Sequence, residues 1–333
     1  MDSNNVQVIF FQHLKALMPP HLSMVDEVAD LLGISNDSAY RRIRGEKPID
    51  LQEAQKLCTH FKMSLDQMMH LKSDAIIFTG RIKKPTGNLF EDWLRQVEQQ
   101  FQFVNSFQKR HIYWLMKDIP PFVTFQIPEL VAFKCYFWMK SILHYPDMKG
   151  LKFSLDDPRY DVYREICLKI VNLMNKVPTT EIWNVESINS TLYQLNYTNE
   201  SGSFKNPNDV KTLYAKFELL LDHIERQADA GKKFMIGQQP KEESAEYKIF
   251  VNQMILGDNT VLVQLDNLRI TFLNHSVMYF VGTQDEDFNN SMFDNLENLM
   301  SKSTLISSVG ERERNQFFNK LREKIYSKQE TVS

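Results

Sequence analysis

The sequence predicts a mainly helical protein with a small α+β part. Three observations lead to this fold class. Glycine and proline are few, at 11 and 12 in 333 residues, whereas phenylalanine and methionine are abundant, at 23 and 15. Helix-capping patterns divide the first seventy residues into five short helices. Residues 247–283, in contrast, are rich in Val, Ile, Phe and Tyr with Gly-Asp-Asn and Asp-Asn turns, which is typical of a C-terminal antiparallel β-meander.

The length and the changes in sequence texture predict two domains and a linker. Residues 1–74 form a helical domain, residues 75–88 the linker, and residues 89–330 a larger helical domain that ends with the meander. In the larger domain we expect a strand near 111–117, a buried aromatic helix over 130–143, and helices over 89–107, 158–176, 180–197, 207–230, 284–300 and 311–326. The strand near 111–117 is expected to join the meander from far away in sequence.

The composition argues against several classes of protein. The formal net charge is −3, so any nucleic-acid binding must depend on a local basic patch. Cys58, Cys135 and Cys167 are odd in number and far apart, which argues against a disulfide framework and fits a reducing cytoplasm. The N-terminus lacks the features of a signal peptide. The most apolar stretch, residues 130–143, is too short to span a membrane and contains two lysines.

No sequence motif for catalysis or metal binding is present. There is no Walker loop, no dinucleotide-binding glycine turn, no His-Glu-x-x-His and no Gly-x-Ser-x-Gly. The eight histidines are scattered, and no two of them have metal-ligand spacing on one helix. We therefore expect no enzyme and no cofactor. The alternative is a ligand-binding protein, or an enzyme of unknown reaction whose catalytic residues are brought together only by folding.

Residues 23–44 carry the pattern of two helices joined by a tight turn. Ser23 caps the helix "MVDEVADLL", which Gly33 ends, and Ser35 begins a second helix that runs to about Arg44. So short a connection forces the two helices to cross steeply. Small side chains at Ala29 and Ala39 suit this crossing. Further apolar residues supply the rest of the contact: Val25, Val28, Leu32 and Ile34.

Two more helices complete the first domain, and with them a resemblance becomes specific. Asp50 with Glu53 opens a fourth helix and Ser64 with Gln67 a fifth. Residues 24–71 resemble the phage-repressor (Xre-type) helix-turn-helix, a lambda-repressor-like DNA-binding domain of five helices. The tail "RGEKPIDLQEAQKLCTHFKMSLDQMM" carries the resemblance as strongly as the turn does.

Most of the chain also resembles a family of bacterial transcriptional regulators. The segments that carry this likeness are "KDIPPFVTFQIPELVAFKCYFWMKSIL", "EIWNVESINSTLYQL" and "KSTLISSVGERERNQFF". The resemblance implies a cytoplasmic regulator that binds double-stranded DNA, with the helix near residues 35–44 in the major groove. It implies no particular ligand for the larger domain.

Positive charge is concentrated just after this recognition helix. No Lys or Arg occurs between residues 21 and 40, whereas residues 41–47 hold four basic side chains against one acid. A recognition helix leaves the groove and meets the phosphate backbone at this point. The predicted DNA-contacting residues are Ser35, Asn36, Asp37, Ser38, Tyr40, Arg41, Arg42, Arg44 and Lys47.

Each of these residues has a possible role in recognition and a structural alternative. Asn36 could bond adenine, Asp37 could accept from cytosine, and Tyr40 could contact a sugar or a thymine methyl group. Ser35 could instead be only a helix cap, Asp37 could only favour the helix dipole, and the arginines could form a solvated face. The inward apolar residue late in the helix is Ile43, one position later than in the family, so either arginine before it could face DNA. The small domain could also bind protein instead of DNA.

We expect a homodimer, because a local charge of about +3 is little for tight binding of DNA. Two recognition helices would then reach successive major grooves, ~34–36 Å apart. Nothing in the first seventy residues has the character of a dimer face. The larger domain is therefore expected to dimerise, to sense a small-molecule or protein effector, or to do both, and no membrane partner is expected. Helices 284–300 and 311–326 are candidates for the dimer face, although both could instead cover the sheet.

Overall fold

The computed structural model describes residues 5–19, 22–63, 65, 76–80, 89–254, 257–276 and 278–330. Two compact units emerge: Met1–Thr79 with Thr283–Phe288, here called the small unit, and Gly80–Gly282 with Asn289–Ser333, here called the large unit. The predicted fifth helix after Ser64 and most of the predicted linker lie outside the described residues.

The described residues of the small unit form four helices at the predicted positions. They are α1 (Val6–Leu17), α2 (Met24–Leu32), α3 (Asn36–Ile43) and α4 (Leu51–Phe61). Each presents an apolar stripe to one common core, which explains why such short helices are stable together. The buried apolar residues of this core are Phe10, Phe11, Leu14, Met18, Val28, Ala29, Ala39 and Leu57.

Seven further helices surround a sheet. They are α5 (Leu89–Asn105), α6 (Pro128–Ser141), α7 (Arg164–Met174), α8 (Asn189–Glu200), α9 (Asn208–Ala230), α10 (Glu286–Ser301) and α11 (Glu311–Glu330), within the described residues. The prediction of a buried aromatic helix is confirmed by α6, where nearly every residue from Leu130 to Met139 is buried. The predicted helix over 158–176 is shorter, because Pro158–Tyr163 is a 3-10 segment that leads into α7.

The described strands form one mixed sheet in the order β1-β7-β6-β5-β2-β3-β4-β8. Their bounds are β1 (Thr79–Gly80), β2 (Arg110–Met116), β3 (Thr179–Trp183), β4 (Tyr247–Val251), β5 (Thr260–Leu265), β6 (Leu268–Asn274), β7 (Phe280–Thr283) and β8 (Thr304–Leu305). Strand β2 pairs with β5 antiparallel, which confirms that the distant strand joins the meander. On its other side β2 pairs with β3 in parallel.

Two expectations about the sheet are wrong. The sequence predicts a helix over 180–197, but residues 180–183 belong to the interior strand β3, and the helix begins only at Asn189. Strand β4 does not belong to an antiparallel meander, because it pairs with β3 in parallel and with β8 antiparallel. The sequence therefore runs β2–helices–β3–helices–β4, and the helical crossovers that parallel pairing requires fill the chain between these strands.

Helices cover both faces of the sheet. Ile112, Trp114 and Met116 of β2 point into the main core with α5, α6, α7, α8, α9 and α11. Ile182 and Leu262 point to the opposite face, where Phe293 and Leu296 of α10 cover them. The apolar sides of α10 and α11 thus pack in the cores on either side of the sheet. This agrees with the alternative that these helices cover the sheet and do not form a dimer face. None of the described helices combines the length and the apolar character needed to cross a membrane.

Candidate nucleic-acid interface

The turn between α2 and α3 has the geometry of a tight helix-turn-helix corner. Gly33 ends α2 with φ +66° and ψ +39°, a left-handed conformation that a side chain would strain. The amide of Ile34 donates to the carbonyl of Ala29 at 3.0 Å, which gives a hydrogen-bond partner to a carbonyl in the last turn of α2. Ala29 and Ala39 are buried where α2 meets α3, as predicted, and Val25, Leu32 and Ile34 pack around them.

Side-chain caps set where the helices begin. The hydroxyl of Ser23 accepts from the amide of Asp26 at 3.4 Å, and the hydroxyl of Ser35 accepts from the amide of Ser38 at 3.3 Å. Asp50 and Glu53 form a reciprocal capping box at the start of α4. Ser35 is therefore a helix cap, and this bond engages its hydroxyl in the absence of DNA.

One face of α3 is open to solvent. Asn36, Asp37, Tyr40 and Arg41 are exposed, as is Arg44 just after the helix. Residues at such spacings of three and four lie on one side of a helix, so these side chains form a continuous stripe. The exposed Lys47 follows in the next turn. We call Asn36, Asp37, Tyr40, Arg41, Arg44 and Lys47 the α3 stripe.

Arg42 points the other way and does not belong to this stripe. Its side chain is only 8% exposed, and its guanidinium forms a two-pronged ion pair with Glu53, Nε to Oε2 at 3.0 Å and Nη2 to Oε1 at 2.7 Å. The hydrogen bond raises the pKa of Arg42 and lowers the pKa of Glu53 below its ordinary value. The prediction that Arg42 adds its charge to the DNA-facing surface is therefore wrong, because that charge is neutralised inside the small unit.

The inward side chain of Arg42 also forms hydrogen bonds with Ser38. The Arg42 Nη1 group donates to the Ser38 hydroxyl at 2.7 Å and to its carbonyl at 3.3 Å. Ser38 is half-buried, and its hydroxyl faces Arg42 rather than solvent. Of the predicted DNA-contacting residues, Ser35 and Ser38 thus have structural bonds of their own, and Ile43 packs inward as expected.

Asn36 is held by an acid of the preceding helix. Its Nδ2 group donates to Oδ1 of Asp26 at 2.8 Å. This bond orients the amide and leaves its oxygen as the group that can accept from outside. Asp37, next in the stripe, is exposed in the first turn of α3, where a carboxylate also suits the helix dipole.

The basic side chains at the far end of the stripe differ in their partners. The guanidinium of Arg44 lies 5.5 Å from the ring centre of Tyr40 and 3.3 Å from a carboxylate oxygen of Glu46. Among the described residues, no carboxylate lies within ion-pairing distance of Arg41 or Lys47. These two charges are therefore the ones most available to an anionic partner.

A glutamine that the sequence analysis missed fixes the turn after α3. Nε2 of Gln7 donates to the carbonyls of Arg42 and Lys47 at 2.7 and 2.8 Å, and its Oε1 accepts from the amide of Ile49 at 2.9 Å. One side chain of α1 thereby holds both ends of the segment that carries Arg44 and Lys47. We call these bonds of Gln7 to Arg42, Lys47 and Ile49 the Gln7 clamp. No local signal marks Gln7, because its partners lie 35 to 42 positions away.

This architecture, in which a short helix with exposed basic side chains at its C-terminal end follows a left-handed glycine turn, is that of a helix-turn-helix-like DNA-binding domain. Residues 10–83 match the family model of the BetR domain, a domain of this class associated with regulators. The match indicates a DNA-binding regulatory role for this part of the chain. No curated protein and no solved structure matches the chain.

Proposed function

We propose that the protein is a sequence-specific regulator of transcription that inserts α3 into the major groove of double-stranded DNA. The α3 stripe carries the proposal, because its basic end offers Arg41 and Lys47, for which the described part of the chain holds no ion partner. Its other end offers Asn36 and Asp37, whose side chains suit base edges. The likeness to the BetR domain supports the same role for residues 10–83.

The charges of the stripe suit contact with phosphates. Arg41, Arg44 and Lys47 lie within one turn of the end of α3, where a helix in the groove passes the backbone. The Gln7 clamp holds this segment in place, so that binding of DNA costs less conformational entropy in the segment that carries the charges. Arg42 acts indirectly in this scheme, since its pair with Glu53 ties α3 to the start of α4.

A homodimer is part of the proposal. The three basic side chains of one α3 stripe support only a modest electrostatic affinity, and a second copy of the chain would double their number. We assign dimerisation and signal sensing to the large unit and propose no catalytic activity. The cytoplasm is the proposed location, as the compartment in which such a regulator meets DNA.

The decisive experiment sequences the genomic fragments that the full-length protein retains. Duplexes of the recovered sequence are then compared with scrambled duplexes by fluorescence anisotropy at fixed salt. We expect a shared motif and a preference of at least about a thousandfold for it. Retention of fragments without any common motif, or no retention at all, contradicts the proposal.

A pair of double variants tests whether the α3 stripe is the interface. Arg41→Ala with Lys47→Ala should weaken binding of all duplexes by on the order of tenfold or more. Lys211→Ala with Lys302→Ala removes the same charge from exposed positions of the large unit and should leave binding unchanged. Equal weakening by both pairs would show that net charge, and not this surface, governs the interaction.

A further inference from the structure

A crevice of about 620 Å³ lies in the large unit at the amino ends of its parallel strands. Arg110, Pro178 and Ala245, which line it, stand at or just before the starts of β2, β3 and β4. The outer wall is residues 231–246, a long connection from α9 to β4 that carries no helix or strand of its own. Connections of this length inside a compact domain are uncommon and usually serve a function.

This connection, here called the wall loop, is held by hydrogen bonds to its own backbone. The amine of Lys232 donates to the carbonyls of Glu242 and Ser244, both at 3.0 Å. The carbonyl of Phe234 accepts from the side chain of Gln227 at 2.6 Å. The amide of Ile236 donates to Oε1 of Gln126 at 2.8 Å. The crevice is therefore a preformed feature of the fold.

A buried ion pair anchors the base of the wall loop to an interior strand of the sheet. Lys233 Nζ lies 3.4 Å from Oε1 of Glu181 on β3, and both side chains are 4% exposed. Oε2 of Glu181 accepts from Trp183 Nε1 at 2.8 Å and from the hydroxyl of Tyr247 at 2.5 Å. The charge of Lys233 is thus satisfied internally, and this lysine does not add to the charge that faces the crevice.

The remaining charges of the lining are mainly positive. Arg110, Lys176 and Lys241 supply three positive charges, and Glu243 is the one acid of the lining. Lys241 and Glu243 lie 3.9 Å apart and are both largely exposed, so their pairing is weak. Among the described residues, Lys176 has no carboxylate within ion-pairing distance. Basic groups gathered around a concave surface repel one another, and a bound anion removes this cost.

Two polar atoms of the lining have no partner within the described residues. Nε of Arg110 and Oδ1 of Asn175 are both buried, although the other nitrogens of these side chains are bonded. Buried polar atoms of native proteins are nearly always paired, so such atoms call for an explanation. One donor and one acceptor at the crevice could pair with a ligand after a small shift of either side chain.

We propose that this crevice binds a small organic anion, one that carries carboxylate or phosphate groups together with hydrogen-bonding groups and is no larger than about a mononucleotide. Its volume lies in the range of small-molecule sites, ~300–1,000 Å³. In this proposal Lys176, Lys241 and Arg110 attract the anionic group, five amide side chains bond the polar groups, and Phe234 and Met235 contact apolar parts. This inference goes beyond DNA binding and uses no residue of the small unit.

Thermal unfolding of the full-length chain tests the proposal without DNA, so its outcome is separate from that of the proposed function. Citrate, glucose 6-phosphate and adenosine monophosphate are compared with glucose and adenosine at matched ionic strength. We expect at least one of the three anions, at about 5 mM, to raise the unfolding midpoint by ~2 °C or more, and the neutral compounds to leave it unchanged. The responding anion distinguishes carboxylate from phosphate recognition.

Two double variants decide where the anion binds. Lys176→Gln with Lys241→Gln should abolish the anion-dependent shift, and both positions are exposed, so the variant should fold. Lys211→Gln with Lys302→Gln removes equal charge elsewhere on the large unit and should keep the shift. The proposal is overturned if none of the three anions gives a shift, if the crevice variant retains it, or if both variants lose it.

Discussion

Adjacent arginines in α3 have opposite environments. Arg41 is exposed, whereas the side chain of Arg42 is 8% exposed and bonds both oxygens of Glu53. Successive residues of a helix point about 100° apart, so the two cannot share one role. The identity of the residue is therefore a weaker guide to DNA contact than its position on the helix.

The role of Arg42 predicts a loss of stability. Arg42→Ala should lower the free energy of unfolding of the small unit by ~2–3 kcal/mol, because it leaves the carboxylate of Glu53 without its main partner. Arg41→Ala, the neighbouring control, should change it by less than ~0.5 kcal/mol. Urea titration followed by circular dichroism measures both. Equal free energies of unfolding for the two variants would contradict the conclusion that Arg42 points inward and Arg41 outward.

The same pair predicts an acid dependence with a defined sign. The pKa of Glu53 is lowered in the folded protein, so its contribution to stability is present above its unfolded value, near 4.5, and is lost as the pH falls through the folded value. The Arg42→Ala variant should lack this part of the acid-induced loss. Urea titrations of the wild-type protein and of Arg42→Ala at pH 6 and pH 4 separate the contribution of Glu53 from that of the other carboxylates.

Lys134 predicts a dependence on alkaline pH. The residue is 4% exposed, and its amine donates to Thr191 Oγ1 at 2.9 Å and to Gln194 Oε1 at 2.8 Å. Burial lowers the pKa of Lys134 to about 8 from its ordinary 10.5, and the nearby Asp118 opposes this shift. Between these pH values the folded state binds fewer protons than the unfolded state, so stability rises with pH.

The control for Lys134 is the variant Lys134→Met, which cannot titrate. Relative to this variant, the wild-type protein should gain ~2 kcal/mol of unfolding free energy between pH 7 and pH 9.5. The difference between the two proteins is measured because it cancels groups that titrate in both. A difference that does not vary with pH would show that Lys134 keeps its ordinary pKa in the folded chain.

At the scale of the element, caps and one turn set the direction of α3. Ser35 caps it, Gly33 permits the left-handed corner, and the Gln7 clamp holds the chain beyond its C-terminus. The helix is only eight residues long, too short to be stable alone. Its orientation therefore depends on contacts at both ends as much as on its own sequence.

The orientation of α3 leads to a prediction for Asn36 at its exposed start. Asn36→Ala should cost ~1–3 kcal/mol on the preferred duplex and leave binding to scrambled duplexes nearly unchanged, because base contacts carry specificity and phosphate contacts do not. Selection from random duplexes, followed by anisotropy, measures both effects. Gln12→Ala changes an exposed amide of α1 and serves as the matched control. Uniform weakening on every duplex would identify Asn36 as a structural or backbone contact.

At the scale of the whole molecule, each unit has a core of its own. The buried apolar residues of α1 to α4 form one cluster, and those around the sheet form others. A fragment of residues 1–80 should therefore fold alone, with a helical circular dichroism spectrum and a cooperative thermal transition. If that fragment is unfolded while the full chain is helical, the small unit depends on the rest of the protein.

The proposed dimer predicts a specific dependence on salt. With three phosphate-binding side chains in each of two copies, log K should fall with log salt at a slope of about −5, and Lys47→Ala should reduce the magnitude of this slope by roughly two. One copy would give about −3 and a reduction of one. Sedimentation at micromolar concentration gives the stoichiometry independently. A monomer with the shallower slope would contradict the dimer.

The sequence by itself determined the parts of the fold that depend on neighbouring residues. Ser23, Gly33, Ser35 and the Asp50–Glu53 capping box predicted α2, α3 and α4, because caps and left-handed glycines act over three or four positions. The inward position of Ala39 also followed from the sequence, whereas the choice between Arg41 and Arg42 as the outward arginine did not. The nature of the candidate interface was predictable for the same reason.

Only the tertiary structure decided which groups pair across long separations. Strand β3 has both faces buried and carries Glu181, so its sequence shows neither alternation nor an apolar run. Its carboxylate is tolerated because Lys233, 52 positions away, lies against it. The inward turn of Arg42, the Gln7 clamp and the crevice under the wall loop arise in the same way. Each depends on partners that only the folded chain brings together, and no pattern of neighbouring residues encodes such pairs.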